Sequence, residues 1–163
     1  MTPTLVLGVG NILLQDEGVG VRVVEHLQEQ YVFPEEVQVL DGGTMGLDLL
    51  HYLEGVERLL VVDAVDARRE PGTAVRLVGS EIPTFLGRKL SPHQIGLADL
   101  LSVAGLQNLT PHQVVLIGVQ PARLKTGLEL SPTLRARVPS IVEMVLAELK
   151  NWGHVIQHRH SQA

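Results

Sequence analysis

Residues 4–27, TLVLGVGNILLQDEGVGVRVVEHL, constrain the fold more than any other part of the chain. Thr4 to Val9 is a short apolar run with no wet alternate positions, the pattern of a strand buried on both faces. Val19, Val23, Leu27 and Tyr31 then recur at helical spacing, while Arg22, Glu25, Gln28 and Glu29 fall where solvent would be. A doubly buried strand that runs through a glycine-rich turn into an amphipathic helix is the repeating unit of an α/β protein. The turn has the shape of a phosphate cradle, yet it carries an acidic pair, Asp16-Glu17, which would repel a phosphate. Gly8-Val9-Gly10 begins a dinucleotide fingerprint, but Leu13 stands where its third glycine would be, and Asp41 lies late for the ribose-binding acid. The match is weak, and the glycines equally serve a tight strand-to-helix turn.

The same alternation continues. Val37 to Leu40 predicts a second strand, ending in Asp41-Gly42-Gly43-Thr44. Leu47, Leu50 and Leu53 predict a short helix closed by Gly55, and Arg58 to Val62 a third strand, ending in Asp63-Ala64. Val75 and Leu77 flank Arg76 as on an edge strand. Ser91-Pro92-His93-Gln94 opens a helix with an N-cap, a proline at the first position and a capping-box glutamine. Gln113 to Val119 predicts a fifth strand. Ser131-Pro132 opens a last helix, which Pro139 is expected to kink or restart and Trp152-Gly153 to end. The expected fold is a single three-layer α/β domain over residues 1–153: a twisted, mostly parallel five-stranded sheet between helices. Residues 154–163 are expected to form a frayed polar tail. Its His154, His158 and His160 could bind a metal loosely, but a mobile surface tail accounts for them more simply.

Composition narrows the function. The chain has 163 residues, a net charge of −5 and no clustered run of Lys and Arg, which argues against nucleic acid and anionic membrane as partners. No run of about 18 apolar residues exists, so membrane insertion is not expected. The start lacks the basic residues and cleavage site of a secretory signal, which fits a cytoplasmic location. There is no cysteine, which removes thiolate metal sites and cysteine nucleophiles together. A metal here would be held by His, Asp, Glu, backbone or water. There is also no G-x-S-x-G elbow, no H-E-x-x-H helix and no P-loop.

In such a sheet the loops after the strand ends gather on one edge, where ligands bind. Glu17, Asp41 and Asp63 fall in those loops. Each has a plain structural alternative: Asp41 and Asp63 as turn residues, Glu17 as complement to a helix dipole, Asp16 as N-cap. Together, though, three acids on one edge would repel one another unless a cation, a proton or a positive substrate lay among them. His93, in the first turn of its expected helix, would be held neutral by the helix dipole, as a metal ligand must be. A Glu, an Asp and a His suit nickel, zinc or another borderline divalent ion and leave positions open for water or substrate.

These residues together resemble the maturation endopeptidases of nickel–iron hydrogenases, along nearly the whole chain. The resemblance is carried by Gly8-Val9-Gly10-Asn11-Ile12-Leu13-Leu14-Gln15-Asp16-Glu17-Gly18, Leu40-Asp41-Gly42-Gly43-Thr44, Val61-Val62-Asp63-Ala64 and Ser91-Pro92-His93-Gln94. It implies a protease that removes a C-terminal extension from the hydrogenase large-subunit precursor after nickel insertion. It also implies that Glu17, Asp63 and His93 are the catalytic and metal-contacting residues, and that Asp41, Gly42, Gly43 and Thr44 shape the substrate cleft. Nickel would arrive with the substrate, zinc or cadmium could stand in for it, and the protease would act as a monomer. Two mechanisms stay open, hydrolysis assisted by the metal and an acid–base role for Glu17 or Asp63 in the manner of an aspartyl protease. So do two other functions, a non-catalytic nickel-sensing chaperone and a nucleoside- or dinucleotide-binding domain.

Overall fold

The computed structural model describes residues 2–82 and 97–161. Its strands are β1 (Thr4–Val9), β2 (Tyr31–Val32), β3 (Val37–Gly43), β4 (Arg58–Ala64), β5 (Ala74–Val78), β6 (Gln113–Val119) and β7 (Gln157–His158). Among the described residues the α-helices are α1 (Val19–Gln30), α2 (Leu50–Leu53), α3 (Leu97–Leu106) and α4 (Pro132–Asn151). Five strands form one sheet in the order β3-β1-β4-β6-β5, in which β3, β1, β4 and β6 run parallel and β5 is antiparallel to β6. This is the expected mostly parallel five-stranded sheet.

The continuous apolar runs of β1, β4 and β6 are explained by helices on both faces. Alternation along the strands sends Val6, Leu60, Val62 and Ile117 to one face, against Val23 and Leu27 of α1 and Leu134, Ile141 and Val145 of α4. Leu5, Leu7, Leu59, Val61 and Leu116 take the other face, against Leu53 of α2 and Leu97, Leu100 and Ala104 of α3. Each such fully buried Val, Leu or Ile contributes about 1.5–3 kcal/mol.

Two expectations need correction. Pro139 lies inside α4 without ending it. Its ring is exposed, so the helical bond that it cannot donate is lost on the solvent face, where water can take the freed carbonyl. The polar tail, as far as Ser161, is docked rather than free. His154 is buried, with Nε2 2.8 Å from Thr4 Oγ1. β7 pairs antiparallel with β2, and the Arg159 guanidinium donates to the Gln28 carbonyl. The expected opening of a helix at Ser91 lies outside the described residues.

The strand order sets the place of any site. After β1 and α1 the chain lays β3 on one side of β1, then crosses back to lay β4 on the other. The order therefore reverses between β1 and β4, and a crevice opens beyond their C-terminal ends.

Candidate active site

Glu17 is delivered to that crevice by glycines. After β1 the chain passes Gly10 at φ +134°, a conformation that side chains rarely adopt; a Cβ there would lie 1.9 Å from the Glu17 carbonyl oxygen. The Gly10 N–H donates to the Gly43 carbonyl at 2.9 Å, which ties this turn to the end of β3. Gln15–Gly18 then forms a 3-10 turn that leads into α1. The first turn of α1 packs backbone to backbone on the sheet: a Cβ at Gly20 would lie 2.0 Å from the Val62 carbonyl oxygen. The Glu17 turn is thereby held over the end of β4. Glu17 is 3% exposed, its Oε2 has no hydrogen-bond partner, and burial raises its pKa.

Asp63 is the sixth residue of β4, opposite Gly118 of β6. Alternation places it on the face of Leu59 and Val61. It too is 3% exposed, and its Oδ1 has no partner. Burial pushes its carboxyl well above the usual range, the Ala64 N–H opposes that shift, and the nearby Glu17 charge adds to it. Two desolvated carboxyls thus lie near each other at the C-terminal edge of the sheet, each with an oxygen left open. Such a pair is costly as two bare anions and is stabilised by a proton or a cation.

Asp16, next in the chain to Glu17, has the opposite environment. Its two oxygens accept from the Ala122 N–H (2.9 Å), the Arg123 N–H (2.8 Å), the Ser131 N–H (2.7 Å) and the Ser131 hydroxyl (2.8 Å). It is not the N-cap of α1, which has no side-chain cap. Instead it clasps residues 122–131 to the turn that carries Glu17. The Asp16 N–H adds a bond to the Arg123 carbonyl, and Gln15 and Leu13 exchange backbone bonds with Gly127. Sequence reading missed this role because every partner lies more than a hundred positions away.

The remaining expected residues divide. Asp41 is exposed at the end of β3, in register with Gly8 on the face of Val37 and Val39, opposite that of Asp63. Gly42 is buried, and a Cβ there would lie 2.8 Å from Leu7 Cδ1. Gly43, at φ +44°, gives its carbonyl to Gly10, and Thr44 is exposed. These four close β3 at the same edge of the sheet as Glu17 and Asp63. His93 falls outside the described residues. Among the described residues no three His, Asp or Glu side chains are grouped to hold a metal ion. Two donors of the expected trio, Glu17 and Asp63, are brought together, and their oxygen chemistry fits a borderline divalent ion that brings other ligands of its own.

Fold and pair define an α/β domain with a desolvated two-carboxylate site at its switch point. The hydrogenase maturation protease family, typified by HycI, matches residues 21–148. The hydrogenase 2 maturation protease of Escherichia coli is 43% identical over 150 residues, covering 91% of this chain and 92% of that protein. The hydrogenase expression/formation protein HupD of Bradyrhizobium diazoefficiens is 43% identical over 157 residues, 95% of this chain and 82% of its own. The solved structure of the hydrogenase maturating endopeptidase HybD from E. coli superposes with a TM-score of 0.92 at 42% identity, covering 99% of this chain and 100% of that one. The nickel–iron hydrogenase maturation protease HybD of Thermococcus kodakarensis gives 0.72 at 29% identity, over 90% and 98%. The chain belongs to the hydrogenase maturation protease family and is a hydrolase, an endopeptidase. That assignment favours proteolysis over the chaperone and nucleotide-binding alternatives. No helix among the described residues is long and apolar enough to cross a membrane.

Proposed function

We propose that this protein removes the C-terminal extension of a nickel–iron hydrogenase large-subunit precursor once nickel has been inserted, working as a cytoplasmic monomer. One observation carries the reading: Glu17 and Asp63 are both buried at the switch point, each with an unpartnered oxygen. A cation held by the substrate's own soft ligands has open positions that these hard oxygens, with His93, can fill. Zinc or cadmium would occupy the same donors as surrogates. Docking on the ion brings the adjacent peptide bond to the sheet edge and fixes it there. Such an ion would supply Lewis acidity to the scissile carbonyl; water would add to the carbonyl carbon, and its proton would pass to the amine as the C–N bond breaks. Asp41 to Thr44 form the β3-side wall of the cleft.

A second reading is favoured by the raised pKa of both carboxyls, which lets Glu17 and Asp63 share a proton and act as an acid–base dyad on water. The test is incubation of purified protein with nickel-loaded precursor, read by intact-mass spectrometry. The expected result is a shortened large subunit with wild type and none with Glu17→Gln. A stable complex without shortening would defeat the proteolytic reading. Retained cleavage by Glu17→Gln would remove Glu17 from it.

A further inference from the structure

Basic residues look scattered along the chain, but folding places an uncompensated pair beside the site. Between residues 100 and 142 there are four Lys and Arg, namely Arg123, Lys125, Arg135 and Arg137, and one acid, Glu129, in a chain of net charge −5. Glu129 is engaged by Arg135 at 3.2 Å. Arg123 and Lys125 are exposed and make no ion pair among the described residues. Their position is fixed by the clasp. Arg123 is bonded through its N–H to the Asp16 carboxylate and through its carbonyl to the Asp16 N–H. Two residues beyond Lys125, Gly127 is bonded to Leu13 and Gln15. Two exposed cations, unpaired among the described residues, are thus mounted on a segment locked to the turn that carries Glu17. Across the crevice, residues 41–50 carry Asp41 and Asp48 and no Lys or Arg. Among the described residues, the segment from the end of β3 onward is therefore acidic and the one that follows β6 carries the exposed cations.

We propose that Arg123 and Lys125 dock an acidic stretch of the polypeptide substrate and so set which way the chain lies across the carboxylates. The occupant is a polypeptide because the site is that of an endopeptidase, and acidic because the flank is positive within a negative protein. The role rests on the proteolytic reading above but uses different residues. Exposed charges of this kind act on encounter and orientation, so they should move KM rather than kcat.

The experiment measures precursor cleavage by wild type, by the Arg123→Glu/Lys125→Glu double variant and by a distant control, Lys150→Glu. At low ionic strength the double variant should raise KM by roughly tenfold with kcat nearly unchanged, and the difference should shrink as salt screens the pair. The control should leave KM within about twofold. A KM for the double variant no higher than the control's, or a rise insensitive to salt, would overturn the docking role. If wild type cleaves nothing, the proteolytic reading fails, and calorimetric titration of the precursor into the same three proteins then judges the docking site by affinity alone. Tight binding of a labelled single-stranded oligonucleotide to wild type, lost in the double variant, would assign the flank to nucleic acid and overturn the proposal.

Discussion

The two edges of the sheet differ in how they bury polar groups: the C-terminal edge mixes paired groups with open ones. At the N-terminal edge buried His154 and Thr4 and half-buried Arg58 are all paired. His154 meets Thr4 Oγ1 at 2.8 Å and Glu36 at 3.5 Å, and Arg58 donates to the Trp152 carbonyl while lying over its ring. At the C-terminal edge Glu17 and Asp63 are as deeply buried, and each keeps an oxygen with no partner. Paired burial fastens the chain and stabilises the fold; unpaired burial costs stability and persists where something else completes it. Asp16 and Glu17 repeat the contrast within two residues, one with four hydrogen bonds and one with an open oxygen.

The contrast is broken most severely at the open carboxylates. Glu17→Gln and Asp63→Asn should each lower precursor cleavage by at least about 10²–10⁴-fold while the protein stays folded. Wild-type rates from either variant would mean that the open oxygens are incidental. Asp16→Asn should be the most destabilising single change at this edge. The amide can accept at only one of its two ends, so its NH₂ meets a donor, at a cost of about 2–4 kcal/mol in chemical denaturation. Cleavage should fall with it as the Glu17 turn loosens. At the other edge His154→Ala should cost about 1–3 kcal/mol and leave kcat unchanged. A fall in kcat would show that the paired edge is more than structural.

The smallest effect sharpens the comparison through pH. Both open carboxyls have folded pKa values raised above their unfolded ones, so the folded state binds their protons more tightly. Their contribution to stability is therefore greatest at low pH and declines as pH rises from about 4 through the raised range. Asp63→Asn should remove much of that decline. Its melting temperature should exceed wild type's at pH 7, by about 2–4 °C for each kcal/mol relieved, and should match it near pH 4. A variant less stable than wild type at pH 7 would contradict the assignment of Asp63 as an uncompensated group.

What the sequence disclosed follows from the range of the interactions. Strands β1, β4 and β6 were legible because burial on both faces leaves an unbroken apolar run. Glu17 and Asp63 were legible as candidates because parallel topology sends both strand ends to one edge. The Asp16 clasp was not, since its partners at residues 122–131 become neighbours only after β6 joins the sheet. The basic flank was hidden for the same reason, as Arg123 and Lys125 acquire meaning from the loop they are locked against. The docked tail escaped notice because two-residue strands such as β2 and β7 carry no period to read. Pro139 does not restart α4, because the bond it cannot donate falls on the exposed face of the helix.

The central claim is that the open carboxylates are completed by an ion that the substrate brings. Precursor in nickel-loaded and metal-free forms, each stripped of free metal, is given to the purified protein in metal-free buffer, and the release of the extension is followed by mass spectrometry. The account predicts cleavage of the loaded form and none of the metal-free form. Equal cleavage of both would contradict it.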